Sequence, residues 1–491
     1  MNKINNKPPR TVIFALRMAV LTMTLTGCVS IGTSGPHSVP IEAASLDLKS
    51  TSGTSESNTW PTLHWWDEFN DPQLDRLISA ALADSPSLKL AEARIRRAQQ
   101  TAAFVAAAQG PGIALNAETT RERLPENYIF PPPLGGSTQS DSRVALDFAY
   151  EFDFWGKHRA AINSAAKQAQ ALAAEAESAK LVLSLAVTRT YVQLQRRYEE
   201  LAIAQDTLKQ RKAISGVVAA RIRSGLDNRS EMDLPSARIS SSNLDIAGVE
   251  ENITLLKHQL AALTGQGPSA AEKITPPRLS GNPALAAPRD LPIDLLGRRP
   301  DIVAQRLRIE ASSEAITATK AEFYPNVNLT AFFGFQSIGL DRLFDMSSRT
   351  IGAGPAFHLP IFKAGQLRAD VATKYAEYDI AVEQYNQTVI DSVREVADQG
   401  ATLRAIARQR QASAETLTSL QRAYDVALVR YRSGLTSQLT LLNTESDLLA
   451  QRRIDIELHE RERQAVLTLI RALGGGYVEV PQGTNQQRTN G

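Results

Sequence analysis

From Lys157 to Ser215 the chain has neither glycine nor proline, and the stretch is rich in Ala, Glu, Gln, Arg and Leu. These residues favour helix, and without a breaker the helix has no local reason to stop. Carried on to Arg223 it is about 100 Å long at ~1.5 Å per residue. A second stretch of the same length runs from Gln366 to Arg432, with Gly400 inside it. No globular core is that long. Helices of this kind must lie side by side in a coiled-coil-like wall.

The two stretches belong to a duplication. Both end on nearly the same hexapeptide, RIRSGL (221–226) and RYRSGL (430–435). One constant interval separates Gly156 from Gly365, Gly225 from Gly434 and Gly265 from Gly474. A slightly longer one separates SPSLKLAEARI (85–95) from RPDIVAQRLRI (299–309), and QGPGIAL (109–115) from FYPNVNL (323–329). The difference falls in the Pro/Gly loop PPPLGGSTQS (131–140). Each copy reads as a helix (87–109; 301–323), a strand, a loop, a strand, the long helix, the RSGL turn and one further long helix. That order makes each copy a tall helical hairpin, with a strand pair at one end and the glycine turn at the other.

Strict alternation carries the strand assignments. Val144, Leu146, Phe148, Tyr150, Phe152 and Phe154 alternate with Ala145, Asp147, Ala149, Glu151 and Asp153. Val327, Leu329, Ala331, Phe333 and Phe335 alternate with Asn328, Thr330 and Gly334. Ile351, Ala353, Phe357, Leu359 and Ile361 follow the same rule, with Pro355 and Pro360 limiting the pairing of this last strand. One face of each strand is apolar, the other polar or small, as in strands between lipid and a wet lumen. Four strands cannot close a barrel, for which about eight is the minimum. Two chains give a barrel too narrow for a channel, whereas three give twelve strands.

At the N-terminus Lys3, Lys7, Arg10 and Arg17 stand with no acidic residue before Glu42, and MAVLTMTL (18–25) leads into Leu25-Thr26-Gly27-Cys28. This is a secretory signal pattern ending in a sequence that resembles the bacterial lipobox. Cys28 is the sole cysteine, so no intramolecular disulfide is expected, and it would carry an N-acyl and an S-diacylglycerol chain. Removing residues 1–27 takes four basic residues from a total of 54 against 52 acidic ones, leaving a slightly acidic mature chain. The basic balance therefore gives no argument for nucleic acid. The Ser/Thr/Gly-rich run after Cys28 reads as a tether.

The chain resembles the TolC-family outer-membrane efflux proteins, in their lipoprotein (OprM- or NodT-like) branch. Besides the lipobox, the resemblance rests on WWDEFNDPQLDRLI (65–78), YEFDFWGKHRAA (150–161), LPIDLLGRRPDI (291–302), AEFYPNVNL (321–329), LPIFKAGQLRA (359–369) and RYRSGLTSQLTLLN (430–443), in order inside the duplication. It implies an α+β membrane protein, mainly α. A homotrimer would form a twelve-stranded outer-membrane β-barrel, four strands per chain, continuing into a long periplasmic α-helical barrel. Such a protein is a passive conduit, lipid-anchored in the outer membrane of a Gram-negative bacterium. It would take small molecules from an inner-membrane pump, of RND type, by way of a periplasmic membrane-fusion adaptor. The expected division is a signal peptide (1–27), a lipidated tether (28–64), a first efflux repeat (65–267), a linker (268–290), a second repeat (291–477) and a C-terminal tail (478–491).

In that family the turns at the periplasmic tip form the gate and touch the adaptor. They map onto Arg221, Arg223, Gly225 and Asp227 in the first copy, and Arg430, Tyr431, Arg432, Gly434, Thr436 and Gln438 in the second. The glycines also have a local reason, since a helix C-cap needs positive φ. Relatives often carry aspartates at the second turn, forming an acidic ring. Here Thr436 and Asn443 stand there, with no carboxylate before Glu445, while Asp227 occupies the first-copy equivalent of Thr436. Either the ring is displaced to Asp227 or the entrance is less cation-selective.

Two other function classes fit the sequence less well. The six histidines are scattered and form no HExxH or triad pattern, and GGG (474–476) lacks the Lys-Ser/Thr of a phosphate loop, so neither catalysis nor a metal is expected. A periplasmic lipoprotein adaptor, or a coiled-coil scaffold without a channel, explains the helices and leaves the paired amphipathic strands without a role.

Overall fold

A computed structural model describes residues 35–42, 60–127, 129–281, 297–360 and 363–479. Cys28, the signal segment, Ile361 and the LPIDLL part of the fourth motif lie outside the described residues. After α1 (Pro72–Asp84), which has no counterpart among the described residues of the second copy, the elements follow the expected order twice: α2 (Pro86–Ala107), β1 (Gly112–Arg123), β2 (Thr138–Glu151), α3 (Lys157–Arg223) and α4 (Asp233–Leu263), then α5 (Pro300–Ala321), β3 (Asn326–Ile338), β4 (Arg349–His358), α6 (Ala364–Arg432) and α7 (Gln438–Ala472). The fold is α+β, mainly α. α3 and α6 are the two long helices, 67 and 69 residues, and α6 runs through Gly400 without a break. α2 ends two residues short of the expected Gln109, just before the Gly110-Pro111 breaker.

Among the described residues two compact units cut across the sequence repeats, each drawing on both copies: 35–39, Ala98–Gln168 and Arg308–Ala381 form one, the remaining described residues the other. The first unit holds a four-stranded antiparallel sheet of order β1-β2-β3-β4. Each copy contributes one hairpin, and β2 joins β3 from the other copy. The register puts Leu115, Leu146, Phe333 and Ile351 in one row, with Ile113, Phe148, Ala331 and Ala353 in the next row of that face. On the opposite face the rows read Asn116, Ala145, Gly334, Thr350 and Ala114, Asp147, Phe332, Gly352. The alternation seen in sequence is thus a property of the whole sheet. Beside it, α3 meets α5 through Lys167 and Glu310 at 2.5 Å and through the Ser164 hydroxyl, which donates to the Ala311 carbonyl at 2.8 Å.

Two strands end earlier than expected. β4 stops at His358, so Leu359 lies beyond it, next to the Pro360 that cannot donate to a ladder. β2 ends at Glu151, so Phe152 and Phe154 lie beyond the strand, although Phe152 N still donates to Val327 O at 3.0 Å. Phe332 is an aromatic ring on the polar face. It covers Gly352, where an added Cβ would sit 2.6 Å from the Phe332 Cζ, so the ring supplies the packing the glycine lacks.

The second unit is helical. Trp65, Phe69, Leu74, Ile78, Tyr191, Leu194, Leu260 and Ile470 are fully buried in one cluster. Asp71 is its polar hub: it caps α1 through Gln73 N, accepts Arg278 N at 2.8 Å and accepts the Tyr191 hydroxyl at 2.7 Å. Burial alone would raise the Asp71 pKa, but the hydrogen bonds from Arg278, Tyr191, Gln73 and Leu74 outweigh it and hold it below the ordinary value. Further along, Arg211 of α3 donates to Ser242 Oγ (2.8 Å) and Arg238 O (3.1 Å) on α4, and pairs with the buried Glu445 of α7 at 3.4 Å.

Candidate functional site

The helix reversals were the first candidates, and both are built by the same backbone device. In the first turn Leu226 N donates to Arg221 O (2.9 Å) and Gly225 N to Ile222 O (3.0 Å). In the second, Leu435 N donates to Arg430 O (2.8 Å) and Gly434 N to Tyr431 O (3.0 Å). This pair of bonds is a Schellman cap, and both glycines sit at φ +71°, where a side chain is strained. The leucine after each glycine is bare: Leu226 is 68% exposed and Leu435 76%.

The side chains then diverge. Arg221 holds Asp227 in a bidentate pair, Nε to Oδ2 at 2.7 Å and Nη2 to Oδ1 at 3.0 Å. That hydrogen bond from Arg221 lowers the Asp227 pKa, so the carboxylate is ionised and paired at neutral pH. Thr436 has no such carboxylate, and α7 instead starts on Ser437, whose Oγ accepts Thr440 N at 3.4 Å. Arg223, Arg430 and Arg432 are exposed, and Gln438 is half-buried. Tyr431 points inward: it is 5% exposed and packs with Ile214, Tyr424, Leu441 and Leu448. Glu445, the first carboxylate after the second turn, is buried against Arg211. Leucines and arginines are exposed on both turns, Asp227 is neutralised in place by Arg221, and the exposed Glu231 and Asp233 follow it, Asp233 as the first residue of α4.

The second candidate surface is the sheet itself, whose strands the sequence shows as amphipathic stretches without their pairing order. β1 is exposed along its whole length and, among the described residues, β1 and β4 each pair on one side only. Arg143 and Asp147 pair at 2.5 Å on the polar face, and Asn116 Nδ2 donates to Asp147 at 2.7 Å. At the end where strands meet helices stands an aromatic group. Tyr150, Phe152 and Phe154 form a chain of ring contacts at 5.0 and 5.6 Å. Trp155 stacks on Tyr324 at 4.6 Å and donates its indole N–H to Pro325 O at 2.9 Å. An apolar band ended by rings that keep a polar handle is the pattern of a membrane interface. Among the described residues, no helix is long and apolar enough to cross a membrane and no three His, Cys, Asp or Glu side chains form a metal-ion group.

Comparison with known proteins agrees with this arrangement. The family model for outer membrane efflux proteins matches twice, over residues 77–266 and 291–475. The chain belongs to that family. It is 36% identical over 368 residues to the fusaric acid resistance protein FusA of Burkholderia cepacia, covering 74% of this chain and 69% of that one. It is 31% identical to the multidrug resistance outer membrane protein MdtP of Escherichia coli K12, covering 94% of this chain and 96% of that one. Among solved structures, the outer membrane protein VceC of Vibrio cholerae superposes with a TM-score of 0.79 at 34% identity, over 85% of this chain and all of that one. The Campylobacter jejuni CmeC outer membrane channel gives a TM-score of 0.82 at 23% identity, covering 90% of this chain and 95% of that one, a likeness of fold. The chain is thus an outer-membrane channel protein of a tripartite efflux system. The adaptor and scaffold readings fall away with that membership.

Proposed function

We propose that three copies of this chain close one twelve-stranded barrel in the outer membrane and continue as a helical tunnel in the periplasm. The observation that carries this is the four-stranded sheet with two open edges, apolar on one face and polar on the other. Open strand edges cannot stand in lipid, four strands cannot close, and twelve leave a wet lumen. β4 of one copy then pairs with β1 of the next.

In this reading Cys28 carries the diacylglycerol and N-acyl chains that hold the protein to the membrane. The turns at Gly225 and Gly434 form the tunnel mouth, gate it and receive a periplasmic membrane-fusion adaptor on the exposed Leu226, Leu435, Arg223, Arg430 and Arg432. An RND-type inner-membrane pump supplies the cargo. Similarity to proteins named for fusaric acid resistance and multidrug resistance supports drug-like or otherwise toxic small molecules as that cargo. The chain contributes a path and no chemical step.

The test is purification from outer-membrane fractions in detergent. Native mass spectrometry should give three copies, each carrying the mass of the lipids on its N-terminal peptide, and planar bilayers should show one conducting unit per trimer. A soluble, non-conducting monomer from the periplasm would overturn the proposal.

A further inference from the structure

We infer that Asp379 and Asn386 clamp the N-terminal strap Gly35–Glu42 along α6, and that this clamp sets how far the chain's lipid anchor can reach. The inference rests on the anchor at Cys28 proposed above. The strap has no regular secondary structure. His37 N and Ser38 N both donate to Asp379 Oδ1 at 2.9 Å, and Ile41 N donates to Asn386 Oδ1 at 2.8 Å. Asn386 is buried, and its amide nitrogen donates to Glu383 at 3.4 Å, which leaves the oxygen for the strap. Two side chains thus hold three backbone N–H groups of a segment that lacks a ladder of its own, and one of the two is a carboxylate giving charge-assisted bonds.

The contacts also give the strap a direction. As the strap advances from His37 to Ile41, its partners advance along α6 from Asp379 to Asn386. Followed backwards, toward Cys28, the strap therefore heads for Ala364, the start of α6, where that helix follows β4. Asp379 lies about 22 Å along the helix from Ala364 at 1.5 Å per residue. The contour from Cys28 to His37 is at most about 30 Å at ~3.3–3.6 Å per residue. The leash is long enough to reach the aromatic end of the sheet with roughly 8 Å to spare. It is too short to place acyl chains in any bilayer surface much farther away. The clamp would thereby hold the lipids in register with the aromatic belt at Trp155 and Tyr324, in the leaflet on the helix side.

Cleavage after Glu42 by a glutamyl endoprotease, on trimers in lipid nanodiscs that leave the periplasmic face open to the enzyme, reads the strap directly, because cutting tracks local opening. The double variant Asp379→Ala/Asn386→Ala should be cut at least about tenfold faster than the parent, whether Cys28 is present or replaced by Ser. Asp379→Asn, which keeps an acceptor, should stay near the parent. Deleting residues 30–33 cuts the leash to about 17 Å, shorter than the span it must cover. It should speed cleavage in the lipidated protein and leave the Cys28→Ser protein unchanged. Equal cleavage of the double variant and the parent overturns the clamp. Acceleration by the deletion in both backgrounds overturns the length limit. An N-terminal peptide without lipid mass defeats the anchor, while the double variant still decides the clamp.

Discussion

Gly225 and Gly474 both sit at positive φ, but their surroundings separate them. Nothing lies within 4 Å of a Cβ added at Gly225, whereas one added at Gly474 would stand 1.9 Å from the Arg298 carbonyl oxygen. Gly225→Ala should therefore cost only backbone strain, about 1 kcal/mol. Gly474→Ala forces two backbone segments apart and should cost several times more, read as a larger drop in the melting temperature of the detergent-solubilised trimer. Asp71 carries a second residue-scale prediction. Its pKa is lowered in the folded state, so its contribution is full above the ordinary carboxylate value and is lost as pH falls through the lowered one. Melting curves of the parent should fall off below about pH 4, while Asp71→Asn, less stable at neutral pH, should show a flatter acid limb. The aspartate was visible in sequence only as part of a motif. Its partners Tyr191 and Arg278 come from distant segments, and no local rule links them.

At the scale of elements, the sheet and the helical wall are held by opposite means. The apolar face of the sheet relies on lipid, so Leu146→Arg should destabilise the barrel by about 2–4 kcal/mol if it lies near mid-membrane. Thr330→Arg, on the polar face, should be tolerated. The heat at which trimers dissociate on a denaturing gel separates the two. The wall relies on packing and on staples such as Arg211, which ties α3 to α4 and α7. Arg211→Ala leaves Glu445 buried with a charge and no partner, a loss of about 3–5 kcal/mol, and adding Glu445→Leu should restore much of it. Equilibrium unfolding in denaturant gives both values. Alternation made β2, β3 and β4 legible in advance, the absence of breakers did so for α3, and the repeat supplied β1 and α6. None of them could show that β2 pairs with β3 across more than a hundred residues, because periodicity reports which face is apolar and says nothing of the neighbour.

For the whole molecule, the duplication is what lets one chain supply two nearly equivalent turns and two hairpins. Their likeness is in the backbone, and their difference is in charge. Asp227 is already paired by Arg221, so with the turns at the mouth as proposed, Asp227→Ala should shift cation selectivity less than Arg221→Ala, which bares a carboxylate in each copy. Reversal potentials in asymmetric salt measure both, and a larger shift from Asp227→Ala would show that the pair is open in the membrane. The exposed leucines carry a separate expectation. Replacing Leu226 and Leu435 together by Asp should abolish capture of a periplasmic adaptor while leaving conductance through the trimer.

By itself the sequence determined the repeat, the helix lengths, the amphipathic strands and the glycine reversals, because each follows from local propensity and periodicity that a single stretch of chain carries. Membership of the efflux family was legible for the same reason, as a succession of such stretches. The tertiary structure alone decided that Tyr431 turns into the core, that Glu445 is spent on Arg211, that Asp227 is held by its own turn and that the N-terminal strap lies on α6. Three of those outcomes depend on which side chains meet across hundreds of residues, and the Arg221–Asp227 pair on the shape the turn takes between packed helices. Burial and hydrogen-bond satisfaction select among such meetings only once the helices are packed.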